Sequence, residues 1–111
     1  MSDISDIILT TAGYEEGRPD PNGDPIAYLN AWLLETHHEP NAFRQVNAHA
    51  GGKRSMNNNV YLAGINHLDA DGLLKAFRDA PWNEPECVQL MLKKEEDNLY
   101  TMYSLQVAEN P

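Results

Sequence analysis

Three short segments that are apolar on both of their faces constrain the fold of this chain more than any other feature. They run from Asp6 to Thr11, from Val60 to Ile65 and from Cys87 to Lys93. A strand with one face in water alternates apolar and polar residues, whereas a strand buried on both faces is apolar throughout. Segments that are apolar on both faces are therefore typical of strands inside a sheet. The sequence therefore predicts three strands, of which the first is central and the second also lies inside the sheet.

Two helices with clear boundaries separate these strands. The first begins at the N-cap Asp24, is followed by a proline suited to the first helical position, and ends near His37 and His38. The second begins at the N-cap Asp69 and ends before Pro81. Both helices carry apolar residues at spacings of three and four, which predicts that each packs one side on the sheet.

Two further segments, Phe43 to Ala50 and Leu99 to Val107, alternate loosely and are predicted to be strands. The predicted element order is then β-α-β-β-α-β-β. Its first six elements match the βαββαβ order of ferredoxin-like folds, with one additional C-terminal strand. We expect an α+β fold whose mostly antiparallel sheet is covered by two helices on one face.

The length and composition indicate one domain over residues 1–111. The segment 13–23 is an acidic loop rich in Gly and Pro, and the polar tail 108–111 is predicted to fray. A single cysteine, Cys87, forms no internal disulfide, which favours a reducing, cytoplasmic location. The sequence shows no signal peptide and no run of about 20 apolar residues that would span a membrane.

The formal net charge of -9 limits the classes of partner. A strongly acidic chain is repelled by nucleic acid and by anionic lipid, so we expect neither as a partner. The same charge supports solubility. We expect the chain to bind another protein, and a homodimer is one form that such binding could take.

Metal-binding and catalytic constellations are missing from the sequence. The histidines His37, His38, His49 and His67 do not have the spacings of metal-ligand pairs, so we predict neither a metal site nor a cofactor. Cys87 lies close to two glutamates, which disfavour the thiolate needed for nucleophilic catalysis. The sequence favours a protein that is not an enzyme.

The acidic residues also give no glycosidase-like pair. Glu15 and Glu16 fall in one predicted turn, and Glu95, Glu96 and Asp97 fall in another. Charged side chains in turns are usually solvated, so we expect these carboxylates to be exposed.

One basic segment in this acidic chain is a candidate anion-binding loop. It consists of Gly51, Gly52, Lys53, Arg54 and Ser55. Glycine backbone amides together with basic side chains can hold an anion, although the spacing of a P-loop is not present. The alternative is a flexible connection between strands with solvated charges.

Three aromatic residues are the candidates for a partner interface. Tyr28 and Trp32 form an i,i+4 pair on the first helix, and Trp82, just after the second helix, is expected to fold back on the core. Aromatic residues dominate interface hot spots. Trp82 is therefore the first candidate for contact with a partner.

The leading functional hypothesis is a small acidic protein-binding module, such as an inhibitor, an immunity-type protein or a regulator. The alternative is a dimeric α+β-barrel-like enzyme or ligand carrier. Its pocket would be lined by the polar residues of the predicted strands and their ends, Asn47, His49, Asn66 and His67. Anion binding at the Gly51 to Ser55 loop is a third possibility.

Overall fold

The computed structural model describes residues 3–13, 15, 23–52 and 58–105. In this part of the chain, two helices and a five-stranded antiparallel sheet form a small α+β domain, which confirms the predicted class. The helices are α1 (Pro25–His37) and α2 (Ala70–Asp79). The strands, in chain order, are β1 (Ile4–Thr11), β2 (Arg44–Gln45), β3 (Asn59–Asn66), β4 (Gln89–Lys93) and β5 (Thr101–Ser104).

The strand order across the sheet is β2-β3-β1-β4-β5. β1 pairs antiparallel with β3 on one side and with β4 on the other, while β2 and β5 form the edges. The predicted central position of β1 and the predicted interior position of β3 are therefore confirmed.

Both predicted N-caps are confirmed. The Asp24 carboxylate accepts hydrogen bonds from the backbone N–H groups of Ile26 and Ala27, at 2.9 and 3.1 Å. The Asp69 carboxylate accepts one from the N–H of Gly72 at 3.0 Å. Each cap satisfies N–H groups that the first turn of a helix leaves without an intrahelical acceptor. Within the described ranges, neither helix has the length and hydropathy needed to cross a bilayer.

His37 joins the end of α1 to the start of α2. Its Nε2 accepts a hydrogen bond from the backbone N–H of Asp69 at 3.0 Å, and its Nδ1 lies 2.7 Å from the hydroxyl of Thr36. Because Nε2 is the acceptor, the neutral ring carries its proton on Nδ1. The next residue, His38, takes a left-handed conformation with φ 58° and ends the helix.

The core lies between the helices and one face of the sheet. Trp82 contributes to it, as predicted: its Nε1 donates to the carbonyl of Phe77 at 2.7 Å, and the two rings meet edge to face at 6.0 Å. The apolar side chains that the core buries most completely come from the three interior strands, both helices and the residue before β4: Ile7, Leu9, Ile26, Leu29, Leu33, Tyr61, Ile65, Leu73, Phe77, Val88 and Leu90.

The predicted strand from Phe43 to Ala50 is wrong over most of its length. Only Arg44–Gln45 pairs with β3, and Asn47–His49 forms a 3₁₀ turn. Asn30 on α1 binds both the N–H and the carbonyl of Phe43, and the Asn47 amide binds the carbonyl of Asn58 and the N–H of Val60. These side chains replace the ladder hydrogen bonds that a longer strand would make.

The last two predicted strands are shorter than expected in the described residues. The segment predicted to begin at Cys87 starts with a 3₁₀ turn, Pro85–Cys87, and pairs with β1 only from Gln89. The segment predicted as Leu99 to Val107 pairs with β4 only over Thr101–Ser104. Residues 106 and 107 of this prediction lie outside the described residues.

Glu15 is not solvated, contrary to the expectation from its turn-like surroundings. Its side chain is buried, and its two carboxylate oxygens accept hydrogen bonds from the backbone N–H groups of Asn83 and Glu84 at 2.9 and 2.7 Å. Charge-assisted hydrogen bonds of this kind offset the cost of removing the carboxylate from water. Glu15 therefore fixes the segment that connects α2 to β4.

Candidate binding surface on the open face of the sheet

The connections between the strands place both helices on the same face of the sheet. α1 connects β1 to β2, and α2 connects β3 to β4; in each case the two strands run parallel with one strand between them. Crossovers of this kind are almost always right-handed. The two crossovers start from antiparallel strands and move toward opposite edges of the sheet, so right-handedness places both helices on the same side. This side is the covered face of the sheet, and the other is the open face.

Side chains alternate between the two faces along each strand. On β1, Ile7 and Leu9 are buried on the covered face, whereas Ile8 is half-buried on the open face. The antiparallel register assigns the neighbouring strands in the same way. The open face thus consists of Ile4, Asp6, Ile8, Thr10, Arg44, Val60, Leu62, Gly64, Asn66, Gln89, Met91, Lys93, Met102 and Ser104.

An apolar row crosses the open face from β3 to β5. The row consists of Leu62, Ile8, Met91 and Met102, which are direct register partners from strand to strand. Leu62 is 44% exposed and Met102 is 57% exposed. A contiguous apolar surface in water is unfavourable and commonly marks a binding site. The apolar row is therefore the strongest candidate for a functional surface in the described part of the chain.

A second row, here called the charged row, lies beside the apolar row. Gly64, Asp6 and Lys93 are register partners on β3, β1 and β4. Tyr100 extends this row, because it directly precedes Thr101, the first residue of β5, which pairs with Leu92 next to Lys93. An acid on the central strand β1 and a base on the adjacent strand β4 thus lie next to each other, between a position without a side chain and an exposed aromatic residue.

A groove of about 450 Å³ runs across the open face. It extends from Ala42, which precedes the edge strand β2, to Tyr100, which precedes the edge strand β5. Its floor is formed by residues of β1 and β3, including Ile8, Leu62 and Gly64. The groove is shallow and mostly apolar, so it suits contact with an apolar surface better than binding of an ion.

The open face differs in charge from the rest of the molecule. Its strand residues include one acid, Asp6, and two bases, Lys93 and Arg44, whereas the whole chain has a net charge of -9. The excess of acidic residues therefore lies elsewhere. An approaching acidic surface meets less repulsion at the open face than at the remainder of the chain.

The four pocket candidates from the sequence do not come together. Asn47 contacts the start of β3 through Asn59 and Val60, and His49 follows it in the same turn. Asn66 and His67 lie at the other end of this eight-residue strand, a distance of about 23 Å along it. Asn47 and Asn66 also bind backbone groups, the latter accepting from the N–H of Asp3 at 2.8 Å. They therefore have structural roles.

The candidate anion loop lies only partly in the described residues. Gly51 and Gly52 are exposed, and Gly52 has φ 105°, a conformation that favours glycine. Lys53, Arg54 and Ser55 lie outside the described residues. Anion binding at this loop stays a prediction.

The aromatic candidates all lie on the helix side of the molecule. Tyr28 is exposed and borders a shallow depression on α1 together with half-buried Trp32. Trp32 approaches Gly72 in the first turn of α2, whereas Trp82 packs on Phe77 in its last turns. The three rings therefore form two separate sites, and neither belongs to the open face.

A cluster around Cys87 is the closest approach to a metal-ligand set among the described residues. Ligand atoms of Glu84, Glu86 and Cys87 lie within 4.8 Å of one another. The pKa of the Cys87 thiol is raised, first by desolvation and then by the nearby carboxylates of Glu86, Glu84 and Glu15. Its thiolate, the form that attacks or binds a metal, is thus disfavoured. Exposed acidic groups of this kind occur widely without an ion.

Sequence reasoning did not single out Leu62, Ile8, Met91 or Met102 as functional residues. The signal was present, since β1, β3 and β4 were recognised as apolar on both faces. Two helices on right-handed crossovers cover only one of these faces. The other face could have been recognised as an uncovered apolar surface.

Comparison with protein-family models, with curated proteins and with solved structures gives no match for this chain.

Proposed function

We propose that this chain is a non-enzymatic protein-binding module and that its binding surface is the open face of the sheet. The observation that carries the proposal is the apolar row, whose side chains are exposed or half-buried on the face that neither α1 nor α2 covers in the described part of the chain. Covering them with a partner removes apolar surface from water at about 25 cal/mol per Å².

The arrangement of the strands supports this proposal. We propose that β1 to β4 with the two helices form a ferredoxin-like unit, to which β5 adds a strand beside β4. The order β2-β3-β1-β4 and the antiparallel pairing support that description. A unit of this kind covers one face of its sheet with its own helices and leaves the other available to a partner.

The chemistry of the open face suits a protein better than other partners. A nucleic acid or an anionic bilayer would be repelled by the net charge of the chain. Met91 and Met102 are unbranched and flexible, so they adapt to a partner surface without a large steric cost. Arg44 and Lys93 at the open face provide hydrogen-bond donors at the border of the apolar row.

The test compares two double variants that change the net charge equally. Leu62→Lys with Met102→Lys places charge on the open face, and Tyr28→Lys with Leu34→Lys does so on α1, where both side chains are also exposed. Each form is immobilised and exposed to an extract of the cells from which the chain derives. Retained proteins are identified, purified and measured by calorimetry. Circular dichroism of each dilute variant establishes that it is folded.

We expect the open-face variant to lose binding at least about tenfold, and the α1 variant to bind as the original chain does. A partner whose binding is lost only in the α1 variant would overturn the proposal and favour the surface around Tyr28 and Trp32. Stoichiometric binding of a small apolar compound in the groove, with no protein partner, would instead favour a ligand carrier whose pocket is this groove rather than the predicted one near His49 and His67.

A further inference from the structure

We infer that the partner of the open face is a second copy of this chain, bound face to face about a two-fold axis that runs parallel to the strands between β1 and β4. The inference rests on the proposed function, since it assigns an occupant to the same surface. It is carried by the way in which the two rows of the open face are arranged about that axis.

The charged row is self-complementary about this axis. Asp6 on β1 and Lys93 on β4 are neighbours on the same face. A two-fold axis between these strands exchanges β1 with β4, so that each Asp6 lies against Lys93 of the partner subunit. Two ion pairs form across the interface by symmetry, as in other isologous contacts. A two-fold axis that runs along β1 would instead place the Asp6 carboxylates of the two copies against each other.

The apolar row is complementary about the same axis. Ile8 on β1 lies against Met91 of the partner subunit, and Leu62 on β3 lies against Met102 of the partner subunit, because these strands are equally distant from the axis. A branched side chain thus meets a flexible methionine at each contact, which favours close packing. The two most exposed members of the row are both buried by the pairing.

Shape complementarity continues at the ends of the charged row. The axis brings exposed Tyr100 against Gly64 of the partner subunit. Gly64 has no side chain, and around its Cβ position the nearest side-chain atom is Ile4 Cγ2 at 3.8 Å. The groove therefore has room at Gly64 for an aromatic ring from the other copy.

The size of the surface is compatible with a second copy. Eight-residue strands at the centre of a five-stranded sheet give a footprint of roughly 20 by 25 Å, or about 500 Å² before side-chain relief. A stable interface buries about 800 Å² on each partner, so nearly the whole face must be used. A second sheet with the same twist matches this area. Because most acidic residues lie away from the open face, contact through this face is the approach that the repulsion between two acidic copies opposes least.

The experiment measures self-association of the purified chain by sedimentation equilibrium from 1 to about 200 μM, a range that covers the affinities expected of modest interfaces. Three variants test the ion pair: Asp6→Lys, Lys93→Asp, and both changes together. We expect each single reversal to weaken the dimer about tenfold or more, because it places like charges against each other, and the double reversal to restore it.

If the net charge of the chain alone controlled the dimer affinity, the two single reversals would have opposite effects. This expectation distinguishes general charge repulsion from the Asp6–Lys93 ion pair. Asp6→Lys lowers the net negative charge and would strengthen association, whereas Lys93→Asp raises it and would weaken association. The matched controls Glu39→Lys and Arg78→Asp make the same charge changes at exposed positions away from the open face. We expect both controls to change the dimer affinity by less than about threefold. Circular dichroism of each variant at the lowest concentration establishes that the monomer is folded.

Opposite effects of the two single reversals, or a chain that stays monomeric throughout, would overturn the inference. A monomer whose capture of another protein is lost in the Leu62→Lys, Met102→Lys variant would overturn the second copy as occupant and leave the proposed function standing. A monomer that captures nothing would overturn both.

Discussion

The two faces of the sheet are built from the same strands and have opposite surroundings. On the covered face, Leu9 and Tyr61 are completely buried beneath the helices. On the open face, the adjacent residues Ile8 and Leu62 are half-buried and exposed. Side chains point alternately to the two faces of a sheet, so a strand made only of apolar residues gives the sheet two apolar faces. The number of helices and their connections to the strands decide how many of these faces the chain can cover itself.

The comparison also separates two kinds of stabilisation. Contacts on the covered face hold the monomer together, because their side chains leave water when the chain folds. Apolar groups on the open face contribute less to the monomer, and under the proposed function they stabilise a complex instead. Paired substitutions of identical chemistry on the two faces distinguish these contributions.

The largest difference is expected for Leu→Ala substitutions. Leu9→Ala removes a fully buried side chain and leaves a cavity, which should lower the free energy of unfolding by about 3 to 4 kcal/mol. Leu62→Ala shortens a side chain that is 44% exposed and should cost less than about 1 kcal/mol in the monomer. Urea unfolding at low protein concentration measures both values. Equal losses would show that the open face is part of the folded core.

The next effect concerns Glu15, whose buried carboxylate binds the segment that connects α2 to β4. Glu15→Gln leaves an amide NH₂ group facing a backbone N–H of Asn83 or Glu84, so we expect a loss of about 2 kcal/mol. Glu96→Gln, the same change at an exposed turn, should stay within about 0.5 kcal/mol. Thermal unfolding of both variants checks the prediction. A neutral Glu15→Gln would mean that the buried carboxylate is not needed for this connection.

A smaller contrast is expected for Gly→Ala substitutions. At Gly72 an added Cβ would lie 2.8 Å from Trp32 Cζ2 and 2.9 Å from Asp69 Cγ, so the N-cap must shift and stability should fall by about 1 to 2 kcal/mol. At Gly64 the added atom meets only an ordinary contact with Ile4. Gly64→Ala should therefore stabilise the monomer by about 0.5 kcal/mol through the unfolded state. Denaturant midpoints that move in the same direction would contradict this contrast.

The smallest effect is expected at the end of the helix layer. His38 is an exposed residue with φ 58°, a conformation that costs most residues about 1 kcal/mol and glycine very little. His38→Gly should raise the free energy of unfolding by about 0.5 kcal/mol, after the higher entropy of unfolded glycine is subtracted. His38→Ala is the control and should not stabilise. Calorimetric unfolding of both variants decides the sign.

Local signals predicted much of the fold. Asp24 and Asp69 were recognised as N-caps because carboxylates next to a helix start accept the free N–H groups. The central position of β1 followed from its apolar residues on both faces. These features depend on residues close in sequence, so they are visible before the chain is folded.

Features that depend on residues distant in sequence were missed. The segment after Phe43 alternates like a strand, but the amides of Asn30 and Asn47 bind its backbone and that of β3. The burial of Glu15 depends on two backbone N–H groups that lie 68 and 69 residues later in the chain. Neither partner can be identified from local composition.

The candidate site shows the same limit in another form. Aromatic residues such as Trp82 and Tyr28 are interface candidates from the sequence because aromatic residues dominate known interfaces, and Trp82 also packs on the core as expected. The apolar row was not chosen, because Leu62 and Met102 are 40 residues apart and only the register of the sheet brings them into line. A site made of ordinary aliphatic residues has no signature until the strands are paired.

Both tryptophans of the chain, Trp32 and Trp82, lie on the helix side and are half-buried there. Their intrinsic fluorescence therefore reports the closing of the covered face and is insensitive to events on the open face. When the protein is diluted and the inferred dimer dissociates, tryptophan emission should stay constant while the average molar mass from sedimentation equilibrium falls. A chain with this placement of fluorophores allows folding and association to be followed separately in one sample.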